Sequence, residues 1–184
     1  MIYGTYTIPA NYKQGDKLPA ALNLDWRGIG KSTSKGNLLD LPIMVFAQAV
    51  RDVEYAYKFL RSVKGVDPER IGILGGAFGA KIALRAAKEN PKLRAIALLS
   101  PVTKPLGLES DRQLIASIHQ PLLLVTSDCF GEATTEIAVF IVRDKRHRVL
   151  TYRGGFLGYA LFSIDQELEQ NIAYWFREQL HDTR

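Results

Sequence analysis

The segment with the clearest chemical spacing is Gly75-Gly76-Ala77-Phe78-Gly79, which separates an apolar run from an alanine-rich run. A glycine two residues before and two residues after a central residue is the frame of the G-x-S-x-G nucleophile elbow, a tight turn between a strand and a helix. The turn strains its central residue and lifts that side chain clear of the sheet. Here the central residue is Ala77, whose methyl group has no nucleophilic atom. The glycine spacing of a nucleophile elbow is therefore present, but the nucleophile is absent.

Short apolar runs that alternate with longer amphipathic segments must position this turn. One apolar stripe recurs at steps of three and four residues and predicts a helix: Phe46, Val50, Val53, Tyr57 and Leu60. The pattern predicts an edge strand within 2–8, strands at 20–24, 70–74, 95–99, 122–125 and 148–152, and helices at 43–63, 80–90, 111–118, 132–141 and 165–180. This alternation predicts a parallel α/β sheet in one domain, residues 1–184, with its ligand site at the carboxyl ends of the strands.

The composition argues against several classes of partner and ligand. The net charge of +5 is spread along the chain, and Asp144 interrupts the densest basic cluster, so no nucleic-acid partner is expected. Cys129 is the only cysteine, which leaves no disulfide and no cysteine metal pattern, and we expect neither a metal nor a cofactor. The sequence has no signal peptide and no apolar run of membrane-spanning length, so we expect no membrane partner and, by default, a cytoplasmic location.

Two other glycine-rich sites fit the sequence less well. A dinucleotide fingerprint would need glycine at the position of Leu74. A phosphate-binding P-loop matches at Gly30-Lys31-Ser32, but Asp25 replaces its leading glycine and would place a carboxylate beside the phosphates. A nucleotide binder that uses Gly30, Lys31 and Ser32 is kept as an alternative.

Five segments together resemble a known family. They are PAALNLDWRGIGKSTSK, GVDPERIGILGGAFGAKIALRAA, LLSP, PLLLVTSD and YRGGFLGYALF, and their order and spacing are similar to those of the dienelactone-hydrolase-like and esterase-like branch of the α/β-hydrolase superfamily. The resemblance implies an α/β-hydrolase fold: a mostly parallel sheet with helices on both faces, in a minimal single domain without a large lid.

The resemblance also implies a nucleophile–acid–histidine triad. The nucleophile falls on Ala77, and the histidine of a G-x-x-H-G loop falls on Leu157. The acid falls on Phe130, or on Asp128 if the loop is shifted by two residues. Attack needs an oxygen or sulfur atom, and the base needs a nitrogen that titrates near neutral pH. Because Ala77, Phe130 and Leu157 supply none of these atoms, we predict that no intact triad exists.

What the resemblance leaves at the site is a set of backbone donors and apolar side chains. It implies an oxyanion hole formed by the backbone N–H of Phe78 and a second donor from Trp26 or Arg27. The predicted pocket lining is Cys129, Phe156 and Tyr159. This pocket suits a small apolar or carboxylate-bearing ligand, with Arg27 as an anion partner. The alternative is that the aromatic residues fill a collapsed pocket.

Three functions therefore stay open. The first is a non-catalytic hydrolase-fold protein, natural or inactivated, that binds a small ligand or a protein partner. The second is an active ester or dienelactone hydrolase with a non-standard constellation that uses Cys129 or Asp128. The third is the nucleotide binder. The chain's three histidines, His119, His147 and His181, are expected at the surface and away from the site. The sequence also leaves a homodimer open.

Overall fold

A computed structural model describes residues 3–4, 13–25, 31–32, 44–101, 111–128, 141 and 145–181. The strands are β1 (Tyr3–Gly4), β2 (Leu18–Leu22), β3 (Leu24–Asp25), β4 (Val66–Gly76), β5 (Ile96–Leu99), β6 (Leu122–Ser127) and β7 (Arg148–Tyr152). The helices are α1 (Met44–Ser62), α2 (Phe78–Glu89), α3 (Asp111–Ser117) and α4 (Leu168–Gln179), and a 3-10 helix spans Gly158–Ser163.

The main sheet has five strands in the order β2-β4-β5-β6-β7, and every neighbouring pair is parallel. Strands β1 and β3 form a separate antiparallel pair. Parallel strands need crossover connections, and α1, α2 and α3 lie in the connections from β2 to β4, from β4 to β5 and from β5 to β6. The predicted parallel α/β fold is confirmed. All carboxyl ends of the main strands therefore lie at one edge of the sheet, where the elbow follows β4.

Both faces of the sheet are covered, as predicted. In β5, Ile96 and Leu98 belong to the core formed with α1, α2 and α3, whereas Ala97 and Leu99 belong to the core formed with α4. Consecutive strand residues point to opposite faces, so an uninterrupted apolar strand marks a sheet that is buried on both sides. The described members of the predicted stripe on α1 are all buried: Val50, Val53, Tyr57 and Leu60.

Strand β4 begins at Val66 rather than at Arg70, because residues 66–69 of the VDPER segment, which was expected to form a turn, are part of the strand. The register between β2 and β4 shifts there, which is the mark of a bulge. The Asp67 carboxylate accepts a hydrogen bond from Nε of Arg70 at 2.8 Å, and the Arg70 guanidinium also donates to the carbonyl of Lys17 at 2.6 Å. These bonds hold a proline-containing segment in the sheet that sequence patterning treats as a loop.

Other predictions differ from the structure in part. Helix α4 begins at Leu168 rather than at residue 165, and the 3-10 helix was not predicted. The expectation that His147 lies at the surface is wrong, because His147 is 9% exposed. The predicted helix at 132–141 lies outside the described residues except for Ile141, which is helical. Among the helices of the described ranges, none combines the length and the hydropathy needed to cross a bilayer.

Candidate active site

The elbow residue Ala77 has the strained backbone that the frame predicts. Its φ is 50° and its ψ is −116°, outside the regions that residues with a Cβ normally occupy. Its N–H donates to the carbonyl of Leu99 at 2.9 Å, which ties the turn to the neighbouring strand β5. Helix α2 then begins at Phe78. The fold thus keeps the elbow conformation at a residue that cannot attack a substrate.

Gly75 explains why the frame needs a glycine before the elbow. A Cβ added to Gly75 would lie 2.3 Å from the carbonyl oxygen of Gly79 and 2.8 Å from Cα of Ala80. Both are backbone atoms, so no side-chain movement could relieve the contact. The strand and helix α2 approach each other so closely that the glycine is required.

The loop 154–158 covers the elbow. Gly158 has a φ of 57°, and a Cβ added to it would lie 3.2 Å from the backbone nitrogen of Ala77 and 3.3 Å from its Cβ. The residue that follows Leu157 therefore contacts the elbow directly. The structure brings the predicted nucleophile and histidine loops together, 80 residues apart in the sequence. The predicted nucleophile position, Ala77, and the residue after the predicted histidine position, Gly158, are therefore neighbours.

Two buried serines fix this loop at the strand ends. The hydroxyls of Ser100, after β5, and Ser127, at the end of β6, both donate to the carbonyl oxygen of Phe156, each at 3.3 Å. Ser100 is 1% exposed and has a φ of 42°, and Ser127 is 2% exposed. Sequence reasoning missed both residues. Their only signal was their place just after two predicted strands.

The alternative acid Asp128 also contacts the loop. Its Oδ1 accepts a hydrogen bond from the N–H of Gly154 at 2.9 Å. A carboxylate therefore lies at the start of the predicted histidine loop, although Leu157 offers it no imidazole to orient. Phe130, the other acid position, and Cys129 lie outside the described residues.

Tyr159 joins the elbow to the end of β2. A Cβ added to Gly76 would meet its ring at 2.9 Å, and its hydroxyl donates to Oδ1 of Asn23 at 2.6 Å. Phe156 is 38% exposed, Leu157 41% and Tyr159 44%, which is not the burial of side chains that fill a collapsed pocket. Trp26 and Arg27, the predicted second oxyanion donors, lie outside the described residues.

No imidazole lies at the carboxyl edge of the sheet within the described residues. His119 and His147 precede β6 and β7 at the opposite edge, and His181 follows α4. The described ranges also contain no cluster of three histidine, cysteine or acidic side chains that could hold a metal ion. Ser100 and Ser127 carry hydroxyls at this edge of the sheet, but both side chains are buried and donate to the carbonyl of Phe156.

The described part of the nucleotide alternative does not have P-loop geometry. In a P-loop the lysine and the following serine or threonine open a helix. Here Lys31 lies in a turn and Ser32 lies in neither a helix nor a strand. Gly30 lies outside the described residues. Nothing in this geometry favours nucleotide binding at Gly30-Lys31-Ser32.

The end of β7 is anchored by a short hydrogen bond that makes stability depend on pH. The hydroxyl of Tyr152 donates to Oδ2 of Asp165 at 2.6 Å. Burial, and then the nearby Asp165 carboxylate, raises the pKa of Tyr152 from 10.0 to about 12. A group whose pKa is higher in the folded state stabilises the fold below its unfolded pKa, so this contribution is lost between pH 10.0 and about 12.

We therefore expect Tyr152→Phe to remove one phenol that ionises near pH 12, as measured by the ultraviolet absorbance of tyrosinate during an alkaline titration. Asp165→Asn, which removes the accepting carboxylate, should move this late phase of the titration to lower pH. A late phase of undiminished amplitude in Tyr152→Phe would show that the hydroxyl is not held by Asp165.

Comparisons with known proteins agree with this geometry. Residues 37–154 match the sequence model of the Dienelactone hydrolase family, which is well over half of the chain. The polyketide transferase claH of Penicillium crustosum is 35% identical over 109 residues, which are 59% of this chain and 33% of the relative. The esterase FrsA of an Enterobacter species is 37% identical over 79 residues, 42% of this chain and 19% of the relative. These matches thus span a third or less of the curated relatives' length.

Solved structures extend the similarity to the fold of almost the whole chain. DcsB, solved with its substrate analogue, superimposes with a TM-score of 0.72 at 14% identity, over 91% of this chain and 92% of that one. Acetyl xylan esterase 1 from a Thermoanaerobacterium species gives a TM-score of 0.64 at 15% identity, over 92% and 77%. The α/β hydrolase GrgF from a Penicillium species also gives 0.64, at 12% identity, over 90% and 91%. The chain has the α/β-hydrolase fold and belongs to the dienelactone hydrolase family.

Proposed function

We propose that this chain is a family member that has lost acyl transfer through the triad and binds a small apolar or carboxylate-bearing ligand beside the elbow. The observation that carries the proposal is the methyl group of Ala77 at a strained elbow, with the backbone of Gly158 against it. Strain of this kind costs about 1–3 kcal/mol and persists only where the surroundings impose it. The fold therefore maintains a reactive-site backbone without a reactive atom.

The proposal that a ligand binds beside the elbow is supported by the surface next to it. Phe156, Leu157 and Tyr159 present partly exposed apolar side chains there, and their loop is held by hydrogen bonds from Ser100 and Ser127. Small-molecule sites are lined mainly by apolar and aromatic side chains on a largely preformed backbone. A ligand with an apolar body fits such a surface, and one that also carries a carboxylate could use Arg27, as the sequence predicts.

One observation favours a second candidate, an acyl hydrolase or transferase with a non-standard constellation. The Asp128 carboxylate accepts a hydrogen bond from the N–H of Gly154, at the start of the predicted histidine loop. The similar proteins also include an esterase and a polyketide transferase. Such an enzyme would still need a nucleophile and a base. Cys129 is the residue next to Asp128 that could attack, although the described residues offer no imidazole to activate it.

The two candidates separate in a hydrolysis assay. We expect the protein to release no product above the uncatalysed rate from p-nitrophenyl esters of increasing chain length or from a dienelactone. The carboxylic acids of the same panel should raise the thermal unfolding temperature, because a ligand that binds only the folded state stabilises it. Turnover that disappears in Cys129→Ala would overturn the proposal and establish the second candidate. Turnover that survives this substitution would also contradict the proposal.

A further inference from the structure

A groove of about 390 Å³ opens at the amino ends of β5 and β6, at the opposite edge of the sheet from the elbow. Its walls come from the last turns of α2 and α3, from the residues just before β5 and β6, and from Gln179 of α4. This volume is within the range of small-ligand sites, about 300–1,000 Å³. The groove takes no part in the proposed elbow chemistry.

The charge that lines the groove has one sign. Lys88 and Arg94 contribute side chains to it, beside His119, and none of the described residues that line it is acidic. The nearest carboxylate along α2, Glu89, is paired with Arg85 at 3.1 Å. The guanidinium of Arg146 donates to the carbonyl of His119, which adds a further cation at the rim. The groove is therefore a concave, positively charged surface.

Helix carboxyl ends would oppose an anion, because their unpaired carbonyls carry partial negative charge. In this groove several of those carbonyls are already used. The carbonyl of Ala87 accepts from Nε2 of the buried Gln120 at 3.0 Å, and that of Leu114 accepts from the hydroxyl of Ser117 at 2.7 Å. The carbonyl of Phe176 likewise accepts from the N–H of Leu180 at 2.8 Å. At least one carbonyl near the end of each of the three helices is thus hydrogen-bonded within the protein.

Arg94 is the cation on which ligand recognition in this groove depends. Arg94 is exposed, and its guanidinium forms no ion pair or side-chain hydrogen bond with any described residue. Its backbone N–H donates to the carbonyl of Ile71 at 2.8 Å, so the residue is fixed at the groove while its side chain is available. A guanidinium presents paired donors that match the oxygens of a phosphate or carboxylate group.

We propose that this groove binds a small organic dianion of the phosphate monoester class. Arg94 supplies the paired donors, Lys88 supplies a point charge, and His119 supplies a ring N–H. The apolar body of the ligand contacts Pro91, which is exposed in the same wall. The inference does not depend on whether the elbow is active.

The probe is phenyl phosphate, titrated into the full chain at constant ionic strength and at a pH well above the second pKa of a phosphate ester, which is about 6. Binding is measured by calorimetry and by shifts of backbone amide resonances. We expect saturable binding, with the largest shifts at 87–94 and 117–121, and much weaker binding of benzoate, which has one charge. Phthalate, a dicarboxylate of similar size, separates recognition of two charges from recognition of phosphate.

Arg94→Gln should weaken phenyl phosphate binding by about tenfold or more, since a lost charge-assisted hydrogen bond commonly costs that much. Arg51→Gln makes the same change at an exposed arginine of α1 outside the groove and should alter affinity by less than about twofold, through net charge alone. Phthalate binding as tight as phenyl phosphate would overturn the phosphate assignment. An absence of saturation, or equal losses in the Arg94→Gln and Arg51→Gln variants, would overturn the site.

Discussion

Restoring the family's residues at the elbow should create an esterase. We expect Ala77→Ser with Leu157→His and Phe130→Asp to hydrolyse p-nitrophenyl acetate about 100-fold faster or more than the unaltered chain, because a positioned base commonly contributes about 10²–10⁴-fold. The physical reason is the contact already in place. Gly158, the residue after Leu157, contacts Ala77, and the Ala77 backbone already has the elbow conformation.

The position of the acid can be tested within the same series. Because Asp128 accepts a hydrogen bond from Gly154, the double variant Ala77→Ser with Leu157→His retains a carboxylate beside this loop and is compared with the triple variant. Equal rates in the two would assign the acid to Asp128, whereas a gain only in the triple variant would assign it to Phe130. Leu157→His alone is the control and should stay inert. Folded but inactive double and triple variants would contradict the assignment of Ala77 and Leu157.

Gly75→Ala should abolish or severely weaken folding. The added methyl group would lie 2.3 Å from the carbonyl oxygen of Gly79, and both elements that would have to separate are buried. Overpacking typically costs about 1–3 kcal/mol and more where backbone atoms cannot move aside, a large part of the about 5–15 kcal/mol that stabilises a typical domain. Loss of soluble protein, or a large fall in the urea midpoint of unfolding, would be the expected result.

Gly76→Ala is the matched control, because it adds the same methyl group one residue later. There the nearest atoms belong to the ring of Tyr159, at 2.9 Å, and this side chain is 44% exposed and can move. We expect a loss of about 1 kcal/mol in the free energy of unfolding. Equal urea midpoints for the two variants would contradict the close approach of β4 and α2 at the elbow.

The architecture was predictable because the apolar pattern reports burial directly. The uninterrupted apolar runs of β5 and β6 proved to be strands with both faces covered, and the stripe on α1 proved to be its buried face. Strand β7 has the predicted bounds, Arg148–Tyr152. These elements are determined by residues close to one another in the sequence, so a local apolar pattern predicts them without knowledge of the fold.

The features that sequence analysis missed depend on distant partners. Val66 belongs to β4 because the guanidinium of Arg70 binds the carbonyl of Lys17, 53 residues away, and so holds a proline segment beside β2. Ser100 and Ser127 are 56 and 29 residues away from the carbonyl of Phe156 that they bind. His147 is buried although its residue type favours the surface. No periodicity encodes contacts of this kind, which appear only when the strands are assembled.

Covalent labelling tests most directly whether the elbow lacks a nucleophile. A fluorophosphonate probe reacts much faster with an activated hydroxyl than with other side chains, and the intact mass of the protein reports the adduct without any assumption about the substrate. We expect the mass of the unaltered chain to stay the same after prolonged incubation, while the Ala77→Ser, Phe130→Asp, Leu157→His variant gains one phosphonyl group. A phosphonyl adduct that forms on the folded, unaltered chain faster than on the unfolded chain would contradict the loss of acyl-transfer chemistry.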